Sequence, residues 1–222
     1  MNGASVTGPS VNDLLSAQNW QPVPGAGTQT HTAILPTVAL APPSVEGGTN
    51  DTGTVQICTA APAGGIVVAP ESSNAAVAPV PAPVTIPAGL TTVGFQIATV
   101  SVSLETLVSI TAVAESQSAT ATLDITPPVP TAVALAPNPV QGGAFSTGTV
   151  TISRPAPAAG FVVSLVSDIP EVASVPATVT VLEGTTTANF KVTTVDPVAD
   201  TPVDISAPID GTSPTGVLTV RH

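Results

Sequence analysis

Basic and aromatic residues are scarce in this chain of 222 residues. Lysine and arginine total 3 against 14 aspartates and glutamates, so the formal net charge at pH 7 is −11. Such a chain repels phosphate backbones, and nucleic acid is therefore not an expected partner. Tyrosine is missing, and aromatic residues make up only 2% of the chain. Only Trp20, Phe145 and Phe161 could stack on a sugar ring, so a carbohydrate-binding platform is not expected.

Long hydrophobic runs are missing as well. The hydrophobic residues, 43% of the chain, are mostly alanine and valine, and no run approaches the roughly 18 apolar residues that span a bilayer. The first residues, MNGASVTGPSVNDLL, lack the positive and apolar regions of a secretory signal, and Met1 is retained. We therefore expect no membrane insertion. Either the chain is not exported through a cleaved signal peptide, which the retained Met1 favours, or the numbering starts downstream of such a signal.

Residues suited to nucleophilic or acid–base catalysis are nearly missing. The two histidines are His31 and the last residue, His222, and neither recurs in an equivalent position. Because acid–base catalysis near neutral pH depends mostly on histidine, we expect no catalytic site. Cys58 is the single cysteine, which excludes a disulfide within the chain and a zinc site built on cysteines. The strand pattern places its thiol outward, and an intermolecular disulfide remains an alternative.

Carboxylates gather near the C-terminus, at Asp196, Asp200, Asp204 and Asp210. Loops between strands sometimes bind calcium through such groups, so a calcium site at Asp196 and Asp200 is left open as an alternative. No DxDxDG-type loop accompanies them, and we interpret these carboxylates as solvating charge. We therefore expect no metal site and no cofactor.

The main feature that the sequence does contain is an internal duplication. Residues 38–125 align with residues 133–220 at a constant offset and without a gap, with about 45% identity. Two copies of one folding unit are therefore predicted, a first domain at 38–125 and a second at 133–222. An N-terminal arm at 1–37 precedes them, and a proline-rich linker at 126–132 joins them.

Each copy is predicted to form short antiparallel strands. Apolar and polar residues alternate in about seven runs per copy, separated by Gly, Pro, Ser or Asn clusters. In the second copy these runs are 132–136, 148–154, 161–165, 173–175 with 179–181, 187–194, 202–207 and 217–221. The inward-facing residues, each followed by its equivalent, are Val55 and Val150, Ile57 and Ile152, Val84 and Val179, Ile86 and Val181, Phe95 and Phe190, Ile97 and Val192, Val108 and Val203, Ile110 and Ile205, and Leu123 and Leu218.

Glycines recur at equivalent turns of the two copies. The pair Gly47-Gly48 precedes the second predicted strand and returns as Gly142-Gly143. A second recurrent position, Gly89, returns as Gly184. We expect positive φ at these turns, a conformation that glycine adopts without a steric penalty.

Seven short strands in about 90 residues are typical of a two-sheet sandwich. The segment STGTVTISRPAPAAGFVVSLVSDIPEVASVPATVTVLEGTTTANFKVTTV, residues 146–195, resembles the immunoglobulin-like (Ig-like) repeats that occur in tandem in bacterial surface and secreted proteins and, in related form, in tailed-phage structural proteins. The resemblance covers both copies but not the arm, and it implies a non-catalytic scaffold. The predicted fold class is all-β, with two tandem Ig-like β-sandwich domains preceded by an extended N-terminal arm. Unlike antibody domains, the repeats contain no tyrosine, no tryptophan and no cysteine pair.

The linker and the arm differ in composition from the repeats. The segment TPPVPT, residues 126–131, has three prolines and predicts a semi-rigid linker of roughly 20 Å that holds the domains apart. The arm has apolar residues that it cannot bury by itself, so we expect it to pack on other subunits as an assembly interface. These residues are Leu14, Leu15, Trp20, Ile34 and Leu35.

Two functions agree with this pattern, and neither is enzymatic. The first is a structural protein of a large assembly, namely a decoration, tail or fibre component of a phage virion, whose arm docks on neighbouring subunits while the Ig-like domains project outward. Its partners are protein subunits of the same or a larger assembly, and a homo-oligomer is expected. The alternative is a secreted bacterial cell-surface adhesin or a stalk fragment.

Overall fold

A computed structural model describes residues 36–209 and 211–222 of the chain. These residues form 18 β-strands, arranged as two successive domains. No helix in this part of the chain has the length and apolar character needed to cross a membrane.

Domain 1 consists of two sheets. Its strands are β1 (Thr37–Ala41), β2 (Ser44–Glu46), β3 (Asp51–Gln56), β4 (Ile66–Ser72), β5 (Val84–Ile86), β6 (Thr92–Ile97), β7 (Thr106–Ala114) and β8 (Gln117–Thr126). The order in one sheet is β1-β3-β6, and in the other it is β2-β8-β7-β4-β5. All pairs are antiparallel except β2 and β8, which are parallel.

Domain 2 repeats this arrangement with small interruptions. Its strands are β9 (Pro130–Ala136), β10 (Val140–Gln141), β11 (Phe145–Ile152), β12 (Phe161–Ser164), β13 (Val166–Ser167), β14 (Ala173–Ser174), β15 (Thr178–Val181), β16 (Thr187–Thr194), β17 (Thr201–Ser206) and β18 (Thr215–Arg221). One sheet has the order β14-β16-β11-β9, the other has the order β10-β18-β17-β13, and β12 pairs with β15. The continuous strand β4 of domain 1 therefore corresponds to two strands, β12 and β13, which are separated at Leu165.

Each domain encloses its own hydrophobic core between its sheets, which confirms the predicted fold class of two tandem Ig-like sandwiches. The predicted inward-facing residues are buried, with two exceptions. Val84 and Val179 are only half-buried and pack against the margin of their cores. They lie on β5 and β15, each of which pairs with a single neighbour, so these side chains are covered from one side only.

The recurrent glycines serve two different purposes. Gly48 and Gly143 have φ of 88° and 80°, as expected from the sequence, and Gly89 and Gly184 are also positive. Gly47 and Gly142, the first glycines of the two pairs, are instead required because another backbone segment passes close to them. A Cβ on Gly47 would lie 2.7 Å from the carbonyl oxygen of Val100.

The connection between the domains is shorter than the predicted linker. Strand β8 continues to Thr126, which pairs with Glu46, and β9 already begins at Pro130, which pairs with Ile152. Only residues 127–129 lie outside strands. At about 3.1 Å per residue, three extended residues span roughly 9 Å, so the domains are close neighbours.

The chain passes through each domain from one end to the other. In domain 1, β1 and β2 both lie against β8, and β2 runs parallel to it. The chain therefore enters near the start of β8 and leaves at its end. Strands β9, β10 and β18 repeat this path in domain 2.

Candidate functional site

The predicted assembly interface lies outside the described residues. This applies to all five apolar residues of the arm and to His31. The arm interface therefore remains a prediction. Its residues are Leu14, Leu15, Trp20, Ile34 and Leu35.

His222 is held by the loop between β16 and β17. Its Nδ1 lies 3.2 Å from Oδ1 of Asp196 and 2.6 Å from the carbonyl oxygen of Pro197. Its backbone N–H donates to Oδ1 of Asp200 at 3.0 Å. The His222 and Asp196 side chains are more than half exposed, so these contacts fasten the C-terminal residue to the loop without forming an enclosed site.

The acidic residues near the C-terminus are dispersed among several contacts. Asp196 and Asp200 contact His222, and Asp168 accepts a hydrogen bond from the backbone N–H of Asp204 at 2.8 Å. Within 36–209 and 211–222, no three His, Cys, Asp or Glu side chains lie close enough together to hold a metal ion. Asp210 falls outside these ranges.

The candidate aromatic residues have different environments. Phe161 is buried, while Phe145 is 61% exposed on the outer face of β11. The ammonium group of Lys191 lies 5.0 Å from the centroid of the Phe145 ring, so the exposed ring already has a cationic neighbour. Trp20 lies in the undescribed arm.

Cys58 is exposed, as predicted from the strand pattern. Its equivalent in domain 2 is Ser153, which lies at the junction between the domains. The hydroxyl of Ser153 accepts a hydrogen bond from the backbone N–H of Val129 at 2.9 Å, and its backbone N–H donates to the carbonyl of Val129 at 2.9 Å. Ser153 thus binds both backbone groups of the last linker residue.

A residue of domain 1, Glu46, also contacts Ser153. The Ser153 hydroxyl donates a hydrogen bond to Oε1 of Glu46, the last residue of β2. Oε2 of Glu46 lies 3.9 Å from Nε of Arg154. A shallow cleft of about 410 Å³ also lies between the domains. It is lined by residues 101–104 of the β6–β7 loop and Thr106 of β7 in domain 1, and by residues 157–159 of domain 2.

Asp51 is a buried titratable residue that was not among the predicted site residues. Its side chain is 2% exposed, and neither carboxylate oxygen has a hydrogen-bond partner in the described part of the chain. Burial raises the pKa of the Asp51 carboxyl above its usual value, and the nearby backbone N–H of Thr52 opposes this shift in part. The alternation that places Val55 inward also places Asp51 inward, and this signal could have identified it.

The equivalent of Asp51 in domain 2 shows what this position requires. Ser146 is fully buried, and its hydroxyl donates to the carbonyl oxygen of Pro137 at 2.9 Å. The matching carbonyl in domain 1 belongs to Pro42. A protonated Asp51 can donate a hydrogen bond in the same way, whereas an ionised carboxylate can only accept.

Comparisons with protein families and with curated proteins find no match. Among solved structures, the adhesin InvE of Yersinia pseudotuberculosis is similar, with a TM-score of 0.47 and 15% identity over 83% of this chain and 58% of that chain. InvD of the same species has a TM-score of 0.33 and 15% identity over 84% of this chain and 56% of that chain. Bovine butyrophilin has a TM-score of 0.44 and 11% identity over 84% of this chain and 99% of that chain. The chain thus spans less than two thirds of either Yersinia protein.

Proposed function

We propose that this chain is a non-enzymatic structural spacer, which keeps the attachments at its two ends a fixed distance apart. The path of the chain carries this proposal, because it enters each sandwich at one end and leaves at the other. Two such domains in series extend the molecule along one direction. The ten residues of β8 alone correspond to roughly 34 Å of strand.

The chain offers few cleavage sites to trypsin-like proteases. The chain has only three basic residues, and one of them, Arg154, is followed by Pro155, a bond that trypsin-like proteases do not cleave. These sites lie in strands or at the domain junction, so the folded spacer would resist trypsin-like proteases.

The setting that we favour is a bacterial cell surface, where the two domains would act as part of an adhesin or stalk. The tandem repeat and the resemblance of residues 146–195 to Ig-like repeats of bacterial surface proteins support this choice. The hydrophobic arm favours a second setting, a decoration, tail or fibre component of a phage virion. There the arm would dock on neighbouring subunits and gain roughly 25 cal/mol per Å² of apolar surface that it buries.

A truncation of residues 1–36 tests the arm, and the two settings predict different results. In a virion, we expect the truncated protein to fold but to lose incorporation, measured as its amount in purified particles. On a cell surface, we expect it to lose oligomers or envelope attachment, measured by sedimentation and by cell fractionation. Trp20→Ala should weaken either association, while Gln18→Ala serves as the matched control. Unchanged association after the truncation would contradict the anchoring role.

A spacer role is tested separately from the anchor. Small-angle scattering of the truncated protein should give a maximum dimension close to two sandwich lengths. A dimension close to that of one sandwich, as expected for domains folded back side by side, would contradict the spacer.

A further inference from the structure

At the junction between the domains, one side chain contacts both domains and the linker. We define the junction lock as Glu46, Val129, Ser153 and Arg154. The hydroxyl of Ser153 is the centre of the lock, because it donates to Glu46 of domain 1 and accepts from the N–H of Val129 in the linker. One hydroxyl therefore joins domain 1, the linker and domain 2.

The duplication supplies an internal control for these residues. Glu46 is replaced by Gln141 at the equivalent position of domain 2, and Ser153 and Arg154 are replaced by Cys58 and Thr59 in domain 1. The fold itself does not require Glu46, Ser153 or Arg154, since each of these positions has another residue in the other copy. The copies thus differ at the residues that meet across the junction.

The two copies also differ in the burial of one proline turn. Pro157 begins the turn of domain 2 that faces the β6–β7 loop of domain 1, and it is buried. Pro62 occupies the same place in the repeat, and it is exposed. The difference indicates that domain 1 helps to cover the Pro157 turn.

The linker leaves little freedom for the domains to move apart. It has only three residues outside strands, two of which are prolines with a fixed φ, and both backbone groups of the third, Val129, are bound by Ser153. A connection this short keeps Glu46 near Ser153 at a high effective concentration. A few polar contacts can then set the orientation, although the exposed Glu46–Arg154 ion pair alone would contribute little.

We propose that the junction lock fixes the mutual orientation of the two domains, so that the pair behaves as one rigid body. Relative motion is the usual behaviour of domains that share a small polar interface, so this rigidity would be encoded by the lock itself. The inference does not depend on whether the protein works at a cell surface or in a virion.

Pulsed electron paramagnetic resonance on the full chain tests the proposal. Spin labels at Thr52→Cys and Thr147→Cys, in a Cys58→Ser background, report the distance between the outer faces of β3 and β11. We expect one narrow distance distribution in this parent. In Glu46→Ala and in Ser153→Ala, we expect the width of the distribution to increase about twofold, because the released linker allows the domains to reorient.

Gln141→Ala is the matched control, since it makes a similar truncation at the position equivalent to Glu46, away from the junction. Insertion of Gly-Ser-Gly-Ser after Pro127 gives the width of a freely jointed pair. The proposal is overturned if the parent is as broad as the insertion variant, or if Glu46→Ala is no broader than Gln141→Ala. Ser153→Ala could broaden the distribution by destabilising domain 2, which a lower melting temperature would reveal. The result for Glu46→Ala then decides between the outcomes, because Glu46 is the last residue of β2 and its side chain is partly exposed.

Discussion

The ring of Phe190 lies directly over Gly148 on the neighbouring strand, in the space that a Cβ on this glycine would need. A Cβ there would lie 2.7 Å from Cε1 of the ring, and its contacts with Cε2 and Cζ would be shorter still. The same pair recurs in domain 1 as Phe95 over Gly53. The repeat thus keeps a large aromatic residue in each core by removing the side chain opposite to it.

We expect Gly148→Ala to destabilise domain 2 by about 1–3 kcal/mol, because the ring must move away from a well-packed position. Hydrogen exchange measured by mass spectrometry on the full chain resolves the two domains and gives the change in each. Gly94→Ala is the control, since its Cβ would meet only one atom, at 3.9 Å. Equal effects of the two substitutions would contradict the packing argument, and Phe190→Leu should relieve the Gly148→Ala defect.

The buried Asp51 carboxyl should make the stability of domain 1 depend on pH. Burial raises the folded-state pKa, so below the unfolded-state value of about 3.8 both states are protonated and the folded state carries no penalty. As the pH rises through the folded-state pKa, the unfolded chain releases its proton more readily and domain 1 loses stability. Hydrogen exchange between pH 3 and pH 8 should show this loss in domain 1.

Exchanging Asp51 and Ser146 between the copies should exchange this pH dependence. Asp51→Ser should stabilise domain 1 at neutral pH by about 1–3 kcal/mol, the cost of an unsatisfied buried polar group, and should flatten its pH profile. Ser146→Asp should give domain 2 the same dependence. A profile of domain 1 that is unaltered by Asp51→Ser would show that another group is responsible.

A buried threonine hydroxyl fastens the same loop in both domains. In domain 2, the hydroxyl of Thr194 donates to the carbonyl oxygen of Ala144 at 2.6 Å, and in domain 1 that of Thr99 donates to Thr49 at 2.7 Å. Thr194→Val keeps the shape but removes the donor, so we expect a loss of about 1–3 kcal/mol in the unfolding free energy of domain 2. A denaturant titration measures this loss. Thr193→Val, on the exposed face of the same strand, should have little effect in that titration.

Trypsin should report the opening of domain 2. Lys191 lies within β16, Arg154 precedes a proline, and Arg221 is the penultimate residue. The folded protein should therefore lose at most its last residue, and cleavage after Lys191 should follow the unfolding of domain 2. Gly148→Ala should accelerate this cleavage, measured by mass spectrometry of fragments, whereas Gly53→Ala should not.

Most of the fold could be predicted because the alternation of side chains and the duplication report the same strands twice. The alternation assigns each side chain to a face but does not show how much of that face is covered. Val84 and Val179 were therefore expected to be buried, although the edge position of their strands leaves them half-buried.

The contacts between the copies were beyond sequence analysis for a different reason. Glu46 and Ser153 are 107 residues apart, and neither belongs to a motif that predicts a partner. The length of the linker was overestimated because proline-rich composition does not show where strand pairing stops. Asp51 was not predicted because the inward face of each strand is recognised by its apolar residues, and a polar residue on that face gives no such signal.

The path of the chain through each sandwich also determines how the molecule carries tension. A force that separates its two ends acts along the parallel pairs β2 with β8 and β10 with β18, so it shears their hydrogen bonds together instead of peeling them one at a time. The first pair joins three residues to three, whereas the second joins only two to two. Under stretching, the second sandwich should give way before the first, and the molecule would lengthen while half of it stays folded.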